Sequence, residues 1–494
     1  LTIILSGCGV ENPPAGSSSQ SRDGPVNGQQ LSANACVLCH TVPSPAHLSP
    51  EEWPYLLTWM GCYLGFPAGN EIDPRLLTGQ KVAAKPMMTK EEFDAIRNYY
   101  LTQSAIQYKL PPMIPKPPVS KIFEAMPVNI QATQITMVGI DPVDFSLVIG
   151  TSRPAGLLVW QGGVTTTNEL VSEPVTMERI GQTRRVALMG HLGYDAHEGR
   201  IVDFDLKTGT RQTVVSSYPR VAAHCTADID GDKKDDLVVC GFGDYPTGRV
   251  GIWWGSAGPQ PQEQVLSEEP GAVWCGVTDL NGDGKPDVLV AIASNKPRII
   301  AFVNEGGRRF VQRTIVERPI GWGYNRCLLV DWDGDGKQDI VEVTGNNLEL
   351  RGRPLKATHG VRVLHNDGDC RFHEVLFEPL PGAMDVAVGD FDGNGKPDLA
   401  VTSFFPDWRE PVPTTLLLLM QRTDGSVERA GIEDRHWNRW LRVTAGDVDG
   451  DGRTDLLLGA AQAKSGVPQE NAEQYQRLLK DKPCVLLLRN RSAR

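Results

Sequence analysis

Two residue patterns in this 494-residue sequence have types and spacings that can do chemistry. One is NACVLCH, which sets Cys36, Cys39 and His40 in a C-x-x-C-H arrangement. Two thiols at that separation add across the vinyl groups of a porphyrin while the adjacent imidazole reaches the iron, so the motif predicts one covalent haem c. A zinc site would need more Cys or His at short spacing, and only His47 and Cys62 follow. A thioredoxin-like dithiol would need a βαβ setting that this segment lacks. Met60, Met87, Met88 and His47 are the candidates for the sixth iron ligand. A thioether there would raise the reduction potential and leave no open position for substrate.

The other pattern is a phrase repeated five times: DIDGDKKDD at 228, DLNGDGKPD at 279, DWDGDGKQD at 331, DFDGNGKPD at 390 and DVDGDGRTD at 447. Positions 1, 3, 5 and 9 carry side-chain oxygens and position 7 offers a carbonyl. Such an oxygen set in a glycine-bent loop suits calcium, whose shell is large and flexible, better than magnesium. Packing mutually repelling carboxylates against a hairpin is expected to require such a cation.

The elements that must hold these residues follow from what flanks them. Each acidic phrase lies between two apolar runs, as in GVTDLNGDGKPDVLVAIA, and a third and fourth run follow in most copies (PRIIAFVN, RFVQRTIVE). Four short strands recurring every fifty to sixty residues predict a propeller blade. Two degenerate copies, at 136–160 and 185–206, keep the strands without the full set of acids and bring the count to seven blades. PCVLLLRN (483–490) is a third strand with no fourth after it, and KIFEAMP (121–127) is a fourth strand with no blade before it; pairing them closes the ring. Upstream, LSPEEWPYLLTWMGCYLGF (48–66) predicts a helix with Ser49 as N-cap and Pro50 at its first position. TKEEFDAIRNYYLTQSA (89–105) predicts another, with Thr89 and Glu92 in a capping box. The fold class expected is a small all-α cytochrome c domain plus an all-β seven-bladed propeller. Its parts are a signal remnant, lipidation site and tether over 1–30, the haem module over 31–107, a Pro-rich linker over 108–120 and the propeller over 121–494.

Over residues 119–494 these phrases resemble the FG-GAP and VCBS repeats of integrin-α-like propellers. The resemblance implies four to five bound calcium ions. Their ligands would be Asp228, Asp230, Asp232 and Asp236; Asp279, Asn281, Asp283 and Asp287; Asp331, Asp333, Asp335 and Asp339; Asp390, Asp392, Asn394 and Asp398; and Asp447, Asp449, Asp451 and Asp455. The first loop departs from the pattern, because Lys233 replaces glycine at position 6. CVLCHTVPSPAHLSPEEWPYLLTWMGCYLG resembles single-haem domains fused to repeat proteins, and the alignment favours Met60 as sixth ligand. Ordinary class I cytochromes, which take their Met from a loop before the last helix, would point to Met87 or Met88 instead, with His47 third. Leu5-Ser6-Gly7-Cys8 resembles a bacterial lipobox, which implies export and a diacylglycerol on Cys8, and Gly9 after it favours an outer membrane.

A formal charge of −11 supplies no basic stripe for nucleic acid, and five divalent cations would bring it near neutrality. No apolar run is long enough to span a bilayer, so the membrane is reached through a lipid anchor only. The expected function is a periplasmic or cell-surface monohaem lipoprotein that transfers electrons, its calcium propeller docking it to a redox partner protein or a respiratory or photosynthetic assembly. An enzyme whose propeller feeds electrons to the haem is the second reading, although no catalytic constellation is present. An adhesion or carbohydrate-binding module is the third, with Trp253, Trp254 and Trp408 as its aromatics. Cys225 and Cys240 flank the first acidic loop, either as a disulfide or as buried thiols, and His224 is expected near the central channel as a hydrogen-bonded structural residue.

Overall fold

The computed structural model describes residues 27–37, 40–67, 72, 82–130, 132–191, 197–244, 247–255, 262–294, 296–347, 354–464 and 466–492. Cys8, Cys39 and the expected tether before residue 27 lie outside the described residues.

Beyond residue 120 the chain forms seven four-stranded antiparallel sheets, the blades of a propeller. Blades one to six take their strands in order from 135–169, 174–218, 221–267, 272–317, 324–379 and 383–430. Blade seven combines Trp440–Gly446, Asp455–Ala460 and Val485–Asn490 with Phe123–Val128, which pairs antiparallel with the last of these. The two incomplete elements at the ends of the propeller sequence thus complete one sheet and leave neither edge bare.

Burial explains why the second strands read as apolar runs without alternation. Asp287–Ile292, Asp339–Thr344, Asp398–Ser403 and Asp455–Ala460 are buried at every residue, because a blade lies against each face. The fourth strands face outward and are never buried throughout; Arg309–Glu317 is mostly exposed and correspondingly polar. The core is therefore a series of seams between blades. In one seam Val238, Val250 and Ile252 of blade three meet Val288, Val290, Ile300 and Phe302 of blade four.

A bulge in the innermost strand of every blade was not foreseen. The register shifts between Ile135 and Met137, Pro174 and Thr176, Val221 and Ala223, Ala272 and Trp274, Tyr324 and Arg326, Ala383 and Asp385, and Trp440 and Arg442. One extra residue at the same level in all seven increases the local twist where the blades converge on the axis. Crowding there is severe: a Cβ on Gly345 would lie 2.1 Å from the Ala383 carbonyl oxygen of the next blade.

Among the described residues three α-helices precede the propeller: α1 (Gly28–Cys36), α2 (Trp53–Tyr63) and α3 (Lys90–Gln107). The last has the expected capping box of Thr89 and Glu92. The second starts later than expected. Ser49 caps nothing; its carbonyl closes a turn on the N–H groups of Glu52 and Trp53, and Pro54 occupies the first turn. The first helix begins inside the segment read as tether, with the Asn27 side chain accepting from the N–H groups of Gln29 and Gln30. Ala35, Leu48, Trp53, Leu57, Ile96 and Tyr100 form the core of this module. Three short helices do not by themselves make a cytochrome c domain. The module touches the propeller at the entry to blade five and on that blade: the Thr41 hydroxyl accepts from Ile320 N, in the link from blade four, at 3.1 Å, and Tyr108 donates to the Leu355 carbonyl at 3.3 Å.

Leu486, fully buried and facing Pro127 on one side and Leu458 on the other, sits at the centre of the closing sheet. Leu486→Ala is expected to lower the unfolding free energy by about 2–5 kcal/mol, read from the midpoint of urea denaturation.

Candidate functional site

The five acidic loops share one hydrogen-bonded frame. The first aspartate accepts two backbone N–H groups. In the 331 loop Asp331 Oδ1 takes Gly334 N at 2.8 Å and Oδ2 takes Gly336 N at 3.0 Å, and the same pair recurs at Asp228, Asp279, Asp390 and Asp447. Position 5 accepts from the N–H of position 7, as Asp335 does from Lys337 at 2.8 Å. These bonds need left-handed backbone at positions 4 and 6, which Gly334 (φ 86°) and Gly336 (φ 87°) supply freely. Lys233 adopts the same conformation at φ 65°, so the departure in the first loop adds strain without changing the loop's path.

Position 9 is the deepest and carries out a second task. Asp398 Oδ2 accepts from Phe391 N at 2.8 Å within the loop, and Oδ1 accepts from Gln421 N at 2.7 Å on the third strand. Asp236, Asp287, Asp339 and Asp455 make the equivalent pair of bonds. Third-strand amides then tie neighbouring blades together. Asn304 Nδ2 donates to Ile229 O at 2.9 Å, Gln421 Nε2 to Trp332 O at 3.2 Å and Asn490 Nδ2 to Phe391 O at 2.8 Å, each reaching the acidic loop of the preceding blade. Sequence reasoning missed these amides, although an Asn or Gln near the end of the third run in four consecutive copies was a readable signal.

Carboxylates converge in four of the loops. Asp228, Asp230 and Asp236; Asp331, Asp333 and Asp335; Asp390, Asp392 and Asp398; and Asp447, Asp449 and Asp455 each offer oxygens within 4.8 Å of one another. In the 279 loop Asn281 replaces one carboxylate, and Asp279, Asp283 and Asp287 form no such group among the described residues. An ionised carboxylate oxygen that accepts one N–H keeps a second lone pair, so the all-oxygen set fits a hard cation of flexible coordination such as calcium. Cationic side chains also stand beside these carboxylates. Lys234, Lys285 and Lys337 pair with position 5 of their own loops, and Arg308, Arg422 and Arg489 pair with Asp230, Asp392 and Asp449 at position 3. In degenerate blade one, Arg179 and Arg184 from blade two hold Asp141 at 2.7 and 2.8 Å.

Electrostatics separates the positions. Hydrogen bonds from Lys234, Lys285 and Lys337 hold Asp232, Asp283 and Asp335 below the ordinary carboxylate range. Burial pushes Asp236, Asp287, Asp339 and Asp455 above it, and pushes Asp398 up to about 6 against its two N–H donors.

At the other candidate site, Cys36 ends α1 and His40 N donates to the Cys36 carbonyl at 3.2 Å. His40 Nδ1 lies 2.8 Å from the Thr41 carbonyl; with the proton on Nδ1, Nε2 is left as a lone-pair donor. Burial lowers the His40 pKa, which favours the neutral ring that a metal needs, and burial raises that of the Cys36 thiol. Met60 is half-buried near the end of α2 and Met87 is exposed, whereas Met88 packs against the cluster that contains Ala35. His47 lies in the short turn Pro45–His47, its pKa lowered by burial and by nearby Lys356. Cys39 lies outside the described residues, so of the C-x-x-C-H pattern only Cys36 and His40 are placed, and no single sixth ligand comes to the fore among the described residues.

The remaining expectations are quickly placed. Cys225 and Cys240 are free thiols; Cys225 faces Val238 and Cys240 faces Ala223 across the strand pair. The His224 side chain is fully buried and hydrogen-bonded to Thr176 at 2.7 Å. Trp254 is buried, Trp253 packs against a core cluster, and Trp408 stacks edge-on with Trp437 and Tyr475. They therefore present no open aromatic platform.

An FG-GAP-like repeat model matches residues 228–290 and 279–342, and an FG-GAP repeat model matches 383–404 and 440–474. Between them these matches cover all five acidic loops, and the chain is a seven-bladed propeller that carries FG-GAP repeats. No curated protein sequence matches it. Solved structures similar to it include the N-terminal domain of Nup159, at 11% identity over 77% of this chain and 98% of that one with a TM-score of 0.43. Another is BBS1N in complex with ARL6DN, at 13% identity over 75% and 98% with a TM-score of 0.45. At these scores the two carry no functional argument.

Because the Asp398 pKa is higher folded than unfolded, the native state of metal-free protein holds that proton more tightly. Its contribution to stability is full below the unfolded value of about 4 and is lost as pH rises through about 6. In chelator, Asp398→Asn is expected to flatten the fall in urea midpoint across that window relative to wild type; parallel profiles would refute the assignment.

Proposed function

We propose that the propeller is a docking scaffold whose acidic loops hold calcium, and that it carries a single-haem module for electron transfer to a partner protein. The FG-GAP scaffold suggests an interaction role. The observation that carries the calcium reading is the five-fold recurrence of one loop frame, with its oxygens turned inward and its position-9 carboxylate tied to the third strand. Calcium held by positions 1, 3, 5 and 9 would offset the repulsion that cationic side chains relieve only in part. Its role would be structural, since the frame leaves its donors committed to the hairpin.

For the haem, Cys36 and Cys39 would supply the thioether links and His40 the proximal nitrogen, with Met60 or Met88 completing the iron. The haem, when bound, would supply reversible one-electron transfer. The chain's own residues orient the imidazole through Thr41, shelter Cys36 beside Tyr100 and seat the module at the entry to blade five. A lipid on Cys8 would tether the whole outside the cytoplasm. Among the described residues no helix is long and apolar enough to cross a membrane.

Removing calcium with EDTA is expected to lower the melting temperature steeply, since each site held at a hundred times its dissociation constant contributes about 2.7 kcal/mol. An unchanged melting curve would count against filled loops. Protein produced with haem-attachment machinery is expected to show c-type bands in a reduced-minus-oxidised spectrum, to lose covalent haem in Cys36→Ser, and to turn high-spin in whichever of Met60→Ala and Met88→Ala removes the sixth ligand. Absence of haem from the wild type would end the electron-transfer reading.

A further inference from the structure

We infer that the 331 loop departs from the calcium reading proposed above for the acidic loops: it is a mixed nitrogen and oxygen site, built for a divalent first-row transition metal, and calcium is left to the other four. Its ligands are Asp333, Asp339 and His365. His365 lies on the third strand of blade five, Gly360–Gly368, one residue before the Asn366 whose N–H binds Asp339. Its Nδ1 is 3.4 Å from Asp333 Oδ2 and 3.3 Å from Asp339 Oδ1, so a nitrogen and two carboxylate oxygens face a common point within 4.8 Å of one another. The strand register makes Trp254, Val303, Met420 and Arg489 the equivalents of His365 in the other four acidic blades. The first three carry no charge, and Arg489 pairs with Asp449 as a cation, so blade five alone turns an imidazole into the loop.

The surroundings of the imidazole distinguish it from a simple counter-ion. Asp367 Oδ1 lies 4.0 Å from the far nitrogen, Nε2, on the side where a metal-bound imidazole commonly faces a carboxylate. Asp367 in turn holds His373 Nδ1 at 2.9 Å, and His373 is the direct cross-strand partner of His365, with the rings 5.3 Å apart. Imidazole nitrogen shifts preference from calcium toward zinc, cobalt or nickel, and two carboxylates with one histidine leave a fourth position open to water. Among the described residues Asp333, unlike Asp230, Asp392 and Asp449, pairs with an imidazole in place of an arginine.

The inference stands whether or not calcium fills the other loops. The test titrates metal-free, tag-free full chain with zinc chloride near neutral pH in the presence of excess calcium chloride, by calorimetry. Cobalt binding is followed separately by its visible absorption. Wild type is expected to take one zinc that calcium does not displace, and to give cobalt bands of a site with nitrogen ligation. His365→Ala is expected to weaken that site at least tenfold. His365→Asp, an all-oxygen set, is expected to lose zinc in the same way while gaining one calcium equivalent. Calcium bound at the remaining loops, counted in the same samples, reports separately on the calcium reading. Zinc uptake that is equal in wild type and His365→Ala, or that calcium abolishes in wild type, would overturn the proposal.

Discussion

A buried carboxylate that accepts two backbone N–H groups from different strands is the interaction on which the acidic blades depend. Asp236, Asp287, Asp339, Asp398 and Asp455 each bind one N–H inside the loop and one at the end of the third strand, which for Asp236 is Gly255 just past it. Charge-assisted bonds of this kind are roughly twice as strong as neutral ones, which offsets part of the cost of placing an anion in the interior, though burial still raises the pKa of all five. Apart from any oxygen it would offer to a metal, the residue sets where the loop meets the third strand, and in blades four, six and seven an amide there carries the constraint into the preceding blade.

Blades one and two show what replaces this arrangement. Where the acidic phrase decays in blade one, Asp141 and Asp144 are clamped by Arg179 and Arg184, a direct inter-blade salt bridge. In blade two the corresponding strands are joined by a tight turn at Gly181 and Gln182. The ring thus contains three solutions to one problem, namely carboxylates that converge in an acidic loop, carboxylates clamped by arginine, and no carboxylates at all. Only the first leaves oxygens free for a ligand.

Much of this was legible beforehand because the signal repeats. Strand, acidic loop and strand recur often enough that a seven-fold ring followed, and the unmatched strands at 123–128 and 485–490 announced their own pairing. The inner-strand bulges were not legible, since a residue skipped in register leaves no mark on composition. Arg308, the partner of Asp230, was equally hidden, because it comes from another blade and is fixed only once the blades stack. In the helical module the capping box was readable, while α1 was not: GQQLSANAC buries only Ser32 and Ala35, too narrow a face to announce a helix. Ser49 and Pro50 carried a start signal that the chain spends on a turn instead.

The sheet that closes the ring joins Phe123–Val128 to Val485–Asn490, strands that lie at opposite ends of the propeller's primary structure. On the ribosome, the earlier of these must wait as an unpaired ribbon while six blades are synthesised, and the last seam can zip up only when the later strand has emerged. Until then the nascent chain displays bare hydrogen-bonding edges at both ends of an open arc. Assembly of this protein is therefore exposed to unwanted strand addition for nearly the whole of its translation, a hazard that an early-forming fold of local contacts would escape.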